Sequence, residues 1–143
     1  MIIVDTNLLI YAYNRDAPWH AATASWLEAL FSSEEIVGLP DLVLVGFIRI
    51  VTQPRIVPQP ISPAQAVALV ESWLALPNVR LLLGTPESFR RSLDALREAG
   101  VAGNLCTDAQ IAALATIYRA TVATVDTDFQ RFAGLKLLNP LKH

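Results

Sequence analysis

The chain has 143 residues, a length that favours one domain, residues 1–143, around a single sizeable core. With 53% hydrophobic and 17% charged residues, it reads as globular rather than disordered, with apolar surface to spare for a second copy or a partner. A formal net charge of −2 excludes a broad basic surface that holds nucleic acid by charge alone, while a local basic patch or a bound metal remains open.

Ile2–Val4 is expected as the first strand, ending at Asp5-Thr6-Asn7. It is too short for the apolar core of a signal peptide, and no later apolar run approaches the ~20 residues that span a bilayer. The expected compartment is the cytoplasm, with no membrane partner. Leu8 to Asn14 and Pro18 to Phe31 read as two helices, the second with proline near its first turn and Trp19 and Trp26 on one face. Glu35–Leu39 reads as the second strand.

The stretch LVLVGFIRIV, residues 42–51, is ambiguous. Its β-branched content suggests a strand, but its length and Asp41, which suits an N-cap, favour a helix. Residues 53–63 hold four prolines and form an irregular loop. Ser62 as N-cap and Pro63 at the first position then open a helix to Leu76. Val79–Leu83 is the third strand, and Pro86 to Ala99 an amphipathic helix stopped by Gly100.

Thr107 to Tyr118 is a helix opened by a Thr107-x-x-Gln110 capping box. Cys106, the single cysteine, excludes an internal disulfide or a cysteine-rich zinc site and reads as a small buried hydrophobe. Thr121–Val125 is the fourth strand, followed by a short helix from Thr127 to Phe132, and Gly134 to Leu138 forms a fifth strand. The alternation predicts an α/β fold with a parallel sheet of four or five strands covered by helices on both faces. Such sheets bind ligands beyond the carboxyl ends of their strands.

Acids stand at those ends: Asp5 after the first strand, Asp126 and Asp128 after the fourth, and Asp108 in the first turn of the preceding helix. Each has a local explanation. Asp5 suits a helix cap, Asp108 a charge on the helix dipole, and Asp126 or Asp128 a turn before a Thr127-x-x-Gln130 box. Together they predict a site where packed carboxylates repel and a hard divalent cation, Mg²⁺ or Mn²⁺, relieves the repulsion.

VDTNLLIYA at the start, NLCTDAQIAALA in the late helix and ATVDTDFQRFAGLKLLNP near the end occur in one order over nearly the whole chain. In that order and spacing the chain resembles the PIN-domain ribonucleases, specifically VapC-type toxins of toxin–antitoxin pairs. The resemblance implies a parallel sheet with an acidic pocket for one or two Mg²⁺ or Mn²⁺ ions. It makes Asp5, Asp108 and Asp126 metal ligands, adds Asp128 as a nearby catalytic acid, and gives Thr6, Asn7 and Thr124 supporting roles in lining or orienting the pocket. It further implies cleavage of structured RNA such as tRNA or rRNA by metal-activated water, a homodimer, and inhibition by a cognate VapB-type antitoxin.

One departure stands out. Most of the family carries Glu-x-x-Arg in the helix after the second strand, and here the tetrad is Gly46-Phe47-Ile48-Arg49. Arg49 remains, to contact phosphate or pair with an acid, but the glutamate is gone. Asp41 is five residues earlier, about 7.5 Å along a helix axis, and suits a cap better than a ligand. The alternative reading is therefore a catalytically weak or inactive PIN-like module that binds RNA or protein. A haloacid-dehalogenase-like phosphatase would need an aspartate where Asn7 stands. Arg15, Arg55 and Lys136 read as solvated charges, any of which would border an RNA path. The three tryptophans, Trp19, Trp26 and Trp73, read as core or half-buried anchors, and His20 as a surface or half-buried residue.

Overall fold

Five short strands and six α-helices alternate along residues 1–142, which the computed structural model describes. β1 (Ile2–Val4) leads into α1 (Thr6–Tyr13) and α2 (His20–Phe31); β2 (Val37–Pro40) leads into α3 (Asp41–Val51) and α4 (Pro63–Leu74). β3 (Val79–Leu82), α5 (Pro86–Ala99) and α6 (Leu105–Tyr118) follow, then β4 (Thr121–Ala123), a 3₁₀ turn over Thr127–Arg131, and β5 (Lys136–Leu138). All four pairings are parallel, in the order β3-β2-β1-β4-β5. Parallel pairing requires a crossover between successive strands; helix pairs supply it as far as β4, and the segment with the 3₁₀ turn joins β4 to β5.

The chain steps outward from β1 to β2 and β3, then returns across the sheet to β4. With right-handed crossovers that reversal puts the two sets of helices on opposite faces. α1 to α4 pack on one another as one layer, and α5 packs on α6 as the other. Between β1 and β4 the strand order reverses, which opens a crevice beyond their carboxyl ends. The core is sealed by Ile3, Leu8, Leu9, Phe47, Ile111 and Phe129, each inaccessible to solvent.

Residues 42–51 are helical. Val43, Leu44, Phe47 and Val51 recur at helical spacing and form the buried face of α3. Gly46 has an ordinary helical backbone, and a Cβ added there would meet only Thr6, with Cγ2 and Oγ1 both at 3.6 Å. That is normal contact, so packing does not require the glycine. Gly46→Ala is expected to raise stability by about 0.5–1 kcal/mol, read as a shift in the urea midpoint at constant slope. A lower midpoint would mean that Thr6 cannot accept the contact.

Several boundaries and caps differ from expectation. Asp41 is the first helical residue rather than the N-cap, which is Pro40, and its carboxylate accepts from the Leu42 N–H at 2.9 Å. α2 opens at His20, because the His20 N–H closes a turn on the Ala17 carbonyl and leaves Pro18 outside the helix. α6 opens at Leu105, two residues before the expected box. Gly103, with φ of +57°, turns the chain there, and buried Leu105 anchors the first turn, so Thr107 lies inside the helix and caps nothing. Cys106 is exposed on that turn rather than buried.

Ser62 caps α4 through a reciprocal box with Gln65, and Gly100 ends α5 in the left-handed conformation, both as the sequence implies. Trp26 and Trp73 pack against the core, whereas Trp19 is 51% exposed and rests on Tyr11. His20 is half-buried, with Nδ1 3.0 Å from the Tyr11 carbonyl oxygen. Among the described residues no helix is long and apolar enough to cross a membrane.

Candidate active site

The register of the two central strands builds the floor of the crevice. Val4 pairs with Ala123, so Asp5 and Thr124 leave the sheet side by side. Asp5 is buried, with one oxygen accepting from the Thr6 N–H at 2.8 Å and the other from the Thr124 hydroxyl at 2.7 Å. The same Thr124 oxygen accepts from the Asp126 N–H at 2.9 Å, and Asp126 Oδ1 in turn accepts from the Asp128 N–H at 2.9 Å. One continuous hydrogen-bonded chain therefore fixes Asp5, Thr124, Asp126 and Asp128. Asp126, rather than a Thr127 box, caps the 3₁₀ turn.

Asp108 joins from the opposite side, in the first turn of α6. Its carboxylate and those of Asp126 and Asp128 each place an oxygen within 4.8 Å of the others. These three would be the residues to hold a hard divalent cation. Asp5 lies beneath them, outside that tight set. Both its oxygens are engaged by donors, and each carboxylate oxygen retains a further lone pair.

The site is electrostatically strained. Burial, then the charges of Asp5, Asp126 and Asp128, push the Asp108 carboxyl up to about 7. The α6 dipole favours a negative charge at that position, but by less than burial and three neighbouring acids oppose it. Burial also raises Asp5, opposed by the hydrogen bonds from Thr124 and Thr6, with Asp126 adding to the rise. Four acids packed this way, all hard oxygen donors, have the chemistry of a Mg²⁺ or Mn²⁺ site.

Thr6 and Asn7 open α1 beside Asp5, and Thr6 faces Gly46. Position 46 is therefore one residue's contact away from Asp5, and its missing side chain leaves the space over Thr6 open. Asp41 is exposed and apart from the acids. Arg49 is exposed and forms no ion pair among the described residues. The cation that does approach the acids is Arg131, with Nε 4.0 Å from Asp128 Oδ1. The sequence reading passed over it, although the i, i+3 spacing from Asp128 was the available signal.

Comparison with known proteins places this geometry. The PIN-domain family model matches residues 2–135. The ribonuclease VapC33 of Mycobacterium tuberculosis is 40% identical over 142 residues, 99% of each chain. Among solved structures, VapC20 of Mycobacterium tuberculosis, described as a sarcin-ricin loop cleaving toxin, superposes with a TM-score of 0.72 at 18% identity, covering 95% of this chain and 99% of that one. A toxin–antitoxin complex from Klebsiella pneumoniae superposes with a TM-score of 0.65 at 17% identity over the full length of both chains.

Proposed function

The chain belongs to the PIN-domain family, and from that premise we propose that it is a metal-dependent endoribonuclease, the toxin of a VapC-type toxin–antitoxin pair. The observation that carries this reading is the convergence of Asp108, Asp126 and Asp128 above buried Asp5 at the switch point of the sheet. The relative at 40% identity is named a ribonuclease. RNA, with structured tRNA or rRNA as the expected class, is the substrate.

Asp108, Asp126 and Asp128 would hold Mg²⁺ or Mn²⁺ from the open side, with Asp5 supporting the ion from the floor. A divalent ion, when bound, polarises a phosphodiester and makes a coordinated water a competent nucleophile near neutral pH. Thr124 keeps Asp5 oriented and fixes the backbone that presents Asp126. Asp5 and Asp108, both raised when no ion is present, are the groups whose protons must leave for the cation to enter. Thr6 and Asn7 line the approach to Asp5.

A binding module without catalysis is not favoured, because the acids converge without any contribution from position 46. The decisive assay is RNA cleavage with Mg²⁺ or Mn²⁺ and with EDTA. Cleavage is expected with the metals and lost in EDTA, and activity that persists in EDTA would defeat the mechanism.

Two partner surfaces accompany this reading. Val45 on α3, Leu83 just past β3, and Phe89 and Leu93 on α5 are exposed apolar side chains, surface that suits a second copy of the chain. A cleft of about 300 Å³ between α1, α2 and α4, lined by Leu9, Leu27, Phe31 and Trp73, suits the apolar side of an antitoxin helix.

A further inference from the structure

Two clefts lie end to end on the α5–α6 side of the molecule. The first, about 340 Å³, is bounded by α5, α6 and the segment that runs from the 3₁₀ turn towards β5. The second, about 220 Å³, opens between the end of α6 and the start of β5. Thr116 and Leu135 line both, so the two form one continuous furrow.

Its charge is unlike that of the rest of the chain. Arg91 and Arg131 line the first cleft, and Arg119 and Lys136 the second, all four exposed. Asp94 and Glu98 are the acids on its walls. Arg91 is paired with Glu87 at 3.2 Å and Arg131 approaches Asp128, so among the described residues Arg119 and Lys136 are the furrow cations without an ion pair, in a molecule whose formal net charge is −2. The furrow also begins at the acid site, because Arg131 belongs both to its lining and to the 4.0 Å contact with Asp128.

Arg119 adds an independent observation. It is the non-glycine residue with positive φ, +53°, among the described residues, and it caps the end of α6. The Ala120 N–H closes the helix on the Ala115 carbonyl at 2.8 Å. Glycine is the usual residue at such a position, and an L-residue there costs roughly 1–2 kcal/mol. The arginine carries a guanidinium to the far end of the furrow despite that cost. The α6 residues along the furrow, Ala112 to Arg119, span about 10 Å of helix axis.

We propose that this furrow carries the phosphate backbone of the RNA strand away from the acid site, with Arg131 at its mouth and Arg119 and Lys136 at its far end. The proposal rests on the ribonuclease reading. Cations spaced along a groove that opens at a phosphodiester-cleaving centre match a polyanion with regularly repeated charges. They supply locally what the net charge withholds globally.

The test is the double variant Arg119→Gln/Lys136→Gln, assayed on structured RNA, tRNA and rRNA, and on a short oligonucleotide that spans only the cut site. For the structured RNA, KM is expected to rise about tenfold with kcat unchanged. The slope of log affinity against log salt should fall by about 1.4, or 0.7 for each lost phosphate contact. Cleavage of the short oligonucleotide should be unaffected. Arg80→Gln, exposed on β3 at the sheet edge opposite β5, should leave every value in place. Unchanged KM and slope in the furrow variant, or an equal loss in the Arg80 control, would overturn the track. A wild-type chain that cuts none of these RNAs would overturn the ribonuclease reading as well, and that outcome is visible before any variant is made.

Discussion

Asp126→Asn is expected to lower metal-dependent RNA cleavage about a thousandfold, within the range seen when a central electrostatic group is removed from an active site, while leaving the fold intact. The asparagine keeps Oδ1, so the hydrogen bond from the Asp128 N–H, 2.9 Å in the native chain, can persist and the 3₁₀ turn stays capped. What disappears is one negative charge from a set of three whose oxygens lie within 4.8 Å of one another. The measurement is kcat on a fixed RNA with saturating Mn²⁺, alongside a thermal melt. Activity within tenfold of wild type would remove Asp126 from the metal site, and a melt that collapses would mean that its cap, not its charge, had been tested.

The second large effect is a dependence on pH that metal should reverse. In the folded, metal-free chain the Asp108 carboxyl lies at about 7, against 3.8 in an unperturbed chain. Between those values the folded state holds a proton that the unfolded state has released. Stability therefore falls as pH rises through this window, and the full penalty is present above the folded value. Asp5 is raised too and acts in the same direction. In EDTA the protein should melt at a higher temperature at pH 5.5 than at pH 8, and Asp108→Asn should raise the melting temperature at pH 8.

Added Mg²⁺ or Mn²⁺ should invert that order, since the cation needs the deprotonated acids. Its affinity is expected to fall by up to about tenfold for each pH unit below 7 for each proton displaced. A metal-free melting temperature that rises steadily from pH 5.5 to pH 8 would contradict the strained cluster.

Gly46 connects the two effects. The absent side chain leaves the Asp5–Thr6 corner open, so the negative charge of the cluster comes wholly from Asp5, Asp108, Asp126 and Asp128. Burial, with their mutual repulsion added, already raises Asp5 and Asp108. A fifth carboxylate there would increase the same repulsion whenever metal was absent.

The alternation of short apolar runs with amphipathic stretches was enough to establish the α/β class, the parallel sheet and nearly every element. Local rules also sufficed for the Ser62 and Gly100 caps, since each depends on residues within one turn. They failed where a distant contact overrides the local signal. Thr107 offers a good box, but the left-handed turn at Gly103 and the burial of Leu105 start α6 earlier. Cys106 has the character of a buried residue, yet it falls on the outward side of that first turn.

By itself the sequence singled out four acids, because residues just past parallel strands and at a helix start are placed to meet at one edge of the sheet. Only the tertiary structure decided how they are arranged there. The pairing of Val4 with Ala123 sets Asp5 against Thr124, and two hydrogen bonds commit it to the floor. The approach of α6 groups Asp108 with Asp126 and Asp128. Position 46 was marked by sequence as a missing acid, and the structure sets it against Thr6. The furrow beside Arg131 was invisible to both composition and motif, because its walls come from α5, α6 and the approach to β5 and meet only on folding.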